Sequence, residues 1–299
     1  MRYFNHKNIA VLLFSVFAIF ISCTDSSLES KIQDYTKGIK AEIGVAVIID
    51  GKDTLTVNND NRYPLMSVFK LHQALSVGNR LNAQSITPEK NIFVTKDDLK
   101  ENTYSPLRDK YLDGEINISI DKLLDYTLKL SDNNACDILF KYISDTKETD
   151  NYIRGLGIEE FSISQTEDDM HKDLKNSYKN WSTPLEMSRL MEILFTKDMN
   201  IGNYQNIIKE KLLSCRTGEN RLPYPLKGTK AQIAHKTGTG DTNEDGAIIG
   251  INDAGYVLLP DGRRYAITVF VKDSYETFER TEQVIADISQ MVYDYMISR

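Results

Sequence analysis

Apolar residues at Leu28, Ile32, Tyr35 and Ile39 recur at steps of four, three and four, which marks one face of an amphipathic helix. The period then changes. Ile43 to Ile49 is rich in valine and isoleucine, Asp50-Gly51-Lys52-Asp53 carries a turn, and Thr54 to Val57 forms the second arm of a hairpin. From Ser67 to about Asn200 the spacing is helical, with Pro64, Pro88, Pro106 and Pro184 confined to connections or first turns. No strand is expected within that block. Strand patterns resume at Gln232 to Lys236, Gly246 to Asn252, Gly255 to Leu259 and Arg264 to Val271, with Asp261-Gly262 turning the chain between the last two. Val284, Ile288, Met291 and Val292, with Tyr295 one turn beyond, then share the face of a closing helix.

Strands and helices segregated in this order imply an α+β fold with an antiparallel sheet of about five strands, flanked by the N- and C-terminal helices. The helical block interrupts the sheet, so the expected division is a sheet domain from residues 23–62 and 215–299 and an all-helical domain from residues 63–214. The cleft between them is the natural place for a site. Residues 1–22 stand apart as a signal peptide: Arg2, His6 and Lys7 precede an uncharged apolar run from Ile9 to Ile21, followed by the small residues Ser22 and Cys23. The run is short for a spanning helix, which needs about 20 residues. Phe20-Ile21-Ser22-Cys23 resembles a bacterial lipobox, which leaves two outcomes open: cleavage and release into the periplasm, or a lipid anchor through Cys23.

Charge excludes one class of partner. The chain carries a formal net charge of −7, and its Lys and Arg residues are scattered among acids with no basic stripe, so nucleic acid is not an expected ligand. Cys136 lies in an apolar helical stretch and reads as a buried free thiol. Neither it nor Cys215 has a histidine at ligand spacing, and the four histidines form no paired element, so no metal site and no cofactor is expected. The chain is expected to be a monomer.

A serine attacks at neutral pH only if another group takes its proton, and a lysine three residues on lies one helical turn away on the same face. The chain contains three such pairs: Ser67 with Lys70, Ser119 with Lys122 and Ser144 with Lys147. Ser119 reads as the cap of the helix carrying Leu123, Leu124 and Leu128, and Ser144 falls in a polar connection. Ser67 opens an apolar helix of Val68, Phe69, Leu71, Ala74 and Leu75, whose free N–H groups are suited to an oxyanion. Two further elements join it. Ser131-Asp132-Asn133 lies between two helical patterns, and Lys236-Thr237-Gly238 closes a strand where Gly238 and Gly240 allow close approach of another backbone or a ligand.

In this order the three elements resemble the signature of the penicillin-recognising serine enzymes, and of class A β-lactamases in particular; the set is recognised as a family pattern, not deduced from the chemistry. The resemblance spans most of the chain after the leader. Tyr104-Ser105-Pro106 looks like the family's cleft-edge tyrosine element. Thr217-Gly218 with Arg221 looks like the segment that sends an arginine toward the substrate carboxylate. Ser164-Gln165-Thr166-Glu167 followed by Trp181-Ser182-Thr183-Pro184 resembles the Ω loop. Ser67-Val68-Phe69-Lys70 and Asp132-Asn133-Asn134-Ala135 are most similar to the Bacteroides-type cephalosporinase branch.

The resemblance implies that β-lactam antibiotics are the substrates. It implies catalytic roles for Ser67, Lys70, Ser131 and Glu167, and substrate binding by Tyr104, Asn133, Arg221, Lys236, Thr237, Gly238 and Thr239. The pattern departs from the commoner one at three places. His171 stands where an asparagine usually helps hold the hydrolytic water. Gln165 and Asn180 replace an Arg–Asp ion pair with groups capable only of neutral hydrogen bonds, and no proline follows Glu167. Two alternatives stay open at this point: a penicillin-binding D-alanyl-D-alanine peptidase, which lacks a deacylating carboxylate, and a non-catalytic surface lipoprotein that keeps the fold.

Overall fold

The computed structural model describes residues 27–299; the expected signal peptide at residues 1–22 and Cys23 lie outside the described residues. Helix α1 (Leu28–Thr36) begins at Ser27, whose hydroxyl accepts the Ser30 N–H, and leads into the hairpin β1 (Glu42–Ile49) and β2 (Asp53–Val57). After the two-residue β3 (Tyr63–Pro64) come α2 (Phe69–Ala83), β4 (Asn91–Val94), α3 (Pro106–Lys110), β5 (Ile116–Ser119), α4 (Ile120–Lys129), α5 (Asn133–Tyr142) and α6 (Thr146–Gly155). The next stretch holds β6 (Phe161–Ser162), α7 (Glu167–Lys172), β7 (Trp181–Ser182), α8 (Pro184–Thr196) and α9 (Tyr204–Leu213). The chain ends with β8 (Gln232–Thr239), β9 (Ile248–Leu258), β10 (Arg264–Ser274) and α10 (Phe278–Ser298).

The main sheet has the order β2-β1-β10-β9-β8, antiparallel throughout, so the expected α+β class holds. Alternation sorts its side chains into two cores. On one face Val45, Val47 and Ile49 stand opposite Val269, Ile267 and Tyr265 and pack with Leu28 and Ile32 of α1 and with Val284, Ile288 and Val292 of α10. The other face carries the smaller Ala234, Ala254 and Ala266, with Tyr256 and Phe270, and joins the core of the helical block. Small residues let α8 lie close: the Ser188 hydroxyl donates to the Ala46 carbonyl at 3.2 Å and contacts the Thr268 hydroxyl at 2.8 Å.

Two expectations about strands need correcting. The helical block does contain strands: β4 pairs with β5, and β7 pairs with both β3 and β6 at the base of the segment that carries Glu167. These strands have two or four residues, too few to establish an alternating pattern in sequence. The stretches expected at Gly246 to Asn252 and Gly255 to Leu259 are also not separate strands: Ile248–Leu258 is one continuous strand, β9. The polar pair Asn252-Asp253 that suggests a break is fully buried and hydrogen-bonded inside the sheet. Ser119 does cap α4, accepting the Lys122 N–H, whereas Ser144 is buried against the Ser76 hydroxyl at 2.7 Å and is not part of an open connection.

His72 lies fully buried in α2 and stacks on Phe161 with ring centroids 5.8 Å apart. Burial pulls its pKa down to about 4, with the Val68 backbone and Asp150 opposing. The unfolded chain therefore binds the extra proton first, and stability falls as pH drops from 6.5 toward 4. Between pH 7 and 4.5 this one group should remove about 2 to 3 kcal/mol of stability. Urea unfolding at both pH values should show a smaller acid loss in His72→Phe than in the parent; equal losses would assign the acid sensitivity to other groups.

Candidate active site

Ser67 sits in a single 3-10 turn, Met66–Val68, wedged between the start of α2 and the end of β8. The turn is held by backbone contacts. Leu65 N–H donates to the Asn180 carbonyl at 2.8 Å, and the Asn252 side-chain amide donates to the Pro64 carbonyl at 2.6 Å and the Leu65 carbonyl at 3.2 Å. Met66, immediately before the serine, adopts φ +48°, a left-handed conformation that disfavours a side chain of this kind and persists only under such restraint.

Lys70 follows one turn later with its ammonium fully buried. It lies 2.9 Å from the Ser67 hydroxyl, 2.7 Å from the Ser131 carbonyl, 2.6 Å from Asn133 Oδ1 and 2.8 Å from Glu167 Oε1. Glu167 Oε1 also accepts from the Ser67 hydroxyl at 3.3 Å. Ser131, at φ +59° between α4 and α5, turns its carbonyl to Lys70 and its hydroxyl to Lys236, whose ammonium donates to it at 2.9 Å and to the Thr237 carbonyl at 2.8 Å. Burial, followed by repulsion from Lys70, brings the Lys236 pKa down to about 7, with Cys215, Asp253 and Glu167 opposing.

The cleft is a cavity of about 360 Å³ whose lining includes Ser67, Ser131, Asn133, Glu167, Thr237 and Thr239. Tyr104 stands exposed at its rim and His171 is exposed on its wall. β8 is the edge strand, and just past its end the Gly240 N–H is turned inward to the Gly250 carbonyl at 2.8 Å. Because hydrogen bonding alternates along an antiparallel strand, the Thr239 N–H points off the edge.

The position of Arg221 differs from the expectation of a direct substrate contact. Its guanidinium is buried, with Nε on Glu282 at 2.9 Å, one terminal nitrogen on the Gly238 and Asn252 carbonyls at 3.0 Å each, and the other on Thr239 Oγ1 at 2.7 Å. Those contacts engage four of its five N–H donors, and Thr239, not Arg221, is among the residues that line the cleft. The Ω-loop expectation is met by one partner: Asn180 accepts from the Ser164 and Gln165 N–H groups at 2.8 and 2.9 Å and donates to the Gln165 carbonyl at 2.9 Å, while the Gln165 side chain folds back onto Ser164.

Asp137, which the motifs do not include, is the residue that docks α7. Its carboxylate accepts the Glu167 N–H at 2.9 Å and the Asp168 N–H at 2.8 Å. Burial and the nearby Glu167 push its pKa up to about 7. The available signal was its place four residues after Asn133, on the same face of α5.

With this geometry in hand, similarity to known proteins decides the family. The model of the β-lactamase enzyme family matches residues 27–296. The chain belongs to that family. It is 41% identical to a β-lactamase of Bacteroides uniformis over 96% of this chain and 98% of the relative. Among solved structures, TLA-3 extended-spectrum β-lactamase superposes with a TM-score of 0.87 at 38% identity, covering 90% of this chain and 98% of the other. A class A β-lactamase from Bacteroides cellulosilyticus gives 0.86 at 38% identity, covering 91% and 98%. The chain thus has the class A β-lactamase fold, and the peptidase and binding-lipoprotein readings are not favoured.

The enzyme's site depends on Gly238. A Cβ there would lie 2.5 Å from the Leu65 carbonyl oxygen, 2.9 Å from Met66 Cβ and 3.2 Å from the Ser67 nitrogen. Gly238→Ala must therefore shift either the nucleophile's turn or the edge strand, and turnover of a chromogenic cephalosporin should fall by about 100-fold or more. Circular dichroism should remain that of the parent. A variant with parental turnover would mean that the turn is free to move.

Proposed function

We propose that this serine β-lactamase opens the lactam amide of cephalosporins and penicillins through an acyl-enzyme on Ser67, released by water that Glu167 activates. The observation that carries the proposal is one carboxylate oxygen, Glu167 Oε1, lying 3.3 Å from the Ser67 hydroxyl and 2.8 Å from the Lys70 ammonium. An acid so placed serves the second half-reaction, which a peptidase acylated by a β-lactam does not complete.

In this reading Ser67 Oγ attacks the lactam carbonyl while its proton passes to Glu167 through water, or to Lys70 once that ammonium has given up a proton to become a neutral amine. The Ser67 and Thr239 N–H groups stabilise the oxyanion, each by about 3 kcal/mol. The Ser131 hydroxyl accepts from Lys236, which leaves its own proton free to pass to the departing ring nitrogen. Asn133 is anchored by Lys70 and by Thr103, whose hydroxyl accepts from its amide at 2.8 Å, and keeps one N–H for the antibiotic's side-chain amide. Lys236, Thr237 and Thr239 take the substrate carboxylate, with Arg221 orienting Thr239 and Gly238 admitting the turn. Tyr104 forms the rim, and His171 helps position the hydrolytic water. The leader at residues 1–22 supports action in the periplasm, with Cys23 as a candidate lipid anchor and one chain as the working unit.

Mass spectrometry after mixing with a penicillin tests the division of labour. Ser67→Ala should form no adduct. Glu167→Ala should retain the mass of one opened β-lactam, with deacylation slowed by roughly 10³-fold. Parental turnover in Glu167→Ala would move the base elsewhere, and turnover in Ser67→Ala would remove the proposed nucleophile.

A further inference from the structure

Behind the cleft, on the sheet face opposite Lys236 and Gly238, three groups are in line that the proposed mechanism does not use. Cys215, just after α9, is partly exposed and unpaired. The charge of His235 on β8 acts on its thiol, and His235 Nδ1 lies 2.9 Å from Asp253 Oδ1 of β9. Both His235 and Asp253 are buried, and Asp253 is fixed further by the Leu222 N–H at 3.2 Å. A histidine charge held by a carboxylate and set beside a thiol favours the thiolate.

We propose that Cys215, backed by His235 and Asp253, is a thiolate modification site for soft electrophiles, and that an adduct there impairs the cleft from behind. The connection is short. Cys215 Sγ lies 3.4 Å from Thr217 Oγ1, and that hydroxyl lies 2.5 Å from Thr237 Oγ1; both threonines line the cleft. Lys236, next to His235 in the strand, points to the other face of the sheet and acts on the thiol through its charge alone. A haloacetamide places four heavy atoms on the sulfur, and Thr217 must move off Thr237 to admit them. The thiol's proton is lost to solvent as Cys215 titrates, the His235 imidazolium balances the thiolate, and Sγ attacks the methylene carbon, the S–C bond forming as the C–I bond breaks and iodide leaves.

The electrostatics agree with the geometry. Burial alone would raise the thiol's pKa, but the charge of the neighbouring His235, then Lys236 and Thr217, bring it down to about 7. Burial alone would lower that of His235, but Asp253 and then Cys215 carry it up to about 10. The charged groups acting on the sulfur are His235 on β8, with Asp253 of β9 holding its imidazole, and Lys236 from the other face of the sheet. Cys136 provides an internal comparison: it is fully buried, and burial pushes its thiol well above the ordinary range.

The test treats the purified full chain with iodoacetamide from pH 5.5 to 9, locates adducts by peptide mass spectrometry, and follows hydrolysis of a chromogenic cephalosporin. Cys215 should react half-maximally near pH 7 and more than about tenfold faster than Cys136. Activity should fall in step with Cys215 occupancy, mainly as a rise in KM, and Cys215→Ser should resist the reagent. Labelling confined to other cysteines, or a Cys215 profile centred above about pH 8.5, overturns the thiolate site. Complete labelling with unchanged KM and kcat overturns the coupling. The coupling rests on the function proposed above, whereas labelling is read by mass alone, so an untreated protein that hydrolyses nothing would defeat that function and leave the labelling result standing.

Discussion

One buried cation organises this site. The Lys70 ammonium has three protons and meets four oxygen acceptors, drawn from the nucleophile's turn, the α4–α5 junction, the first residue of α5 and the first residue of α7. An ammonium taken fully out of water is tolerated only where polar partners replace its hydration, so these segments must converge for the chain to fold at all. Four acceptors for three protons also means that no partner holds the ammonium exclusively. The Ser67 hydroxyl shares it with a carboxylate that is also a hydrogen-bond partner of its own.

Convergence alone would not fix the hydroxyl's position. Met66 and Ser131 both hold left-handed backbone, a conformation that costs of order 1 kcal/mol or more for such residues unless surrounding contacts over-determine it. For Met66 the restraints are Asn252 from the sheet and Asn180 from the base of the Glu167 segment. For Ser131 they are Lys70 on its carbonyl and Lys236 on its hydroxyl. Each strained residue is thus gripped by groups from separate parts of the chain.

The residues bearing the chemistry were legible in sequence because they come in short runs with fixed spacing, as Ser67 with Lys70 and Ser131 with Asn133 do. The groups that position them were not. Asp137 looks like one polar residue on an amphipathic helix, and only the fold brings α7 onto it. The resemblance points Arg221 at the substrate, but a sequence does not reveal that Glu282 and two backbone carbonyls engage three of its donors. The main sheet and its flanking helices were legible because long elements build up periodicity. The two- and four-residue strands of the helical block are fixed by pairing with distant chain, which leaves no local pattern.

Asn252 and Asp253 show why a misread strand matters. Consecutive residues of a strand face opposite sides, so one dipeptide serves two structures. Asn252 points to the helical block and clamps the Pro64 and Leu65 carbonyls next to the nucleophile, in register with Gly238. Asp253 points the other way, opposite Thr237, and holds His235. An apolar residue at either place would continue the strand more legibly and leave buried partners unsatisfied. The polar break in the pattern is therefore where the sheet stops being only a scaffold and takes hold of the active site from both faces.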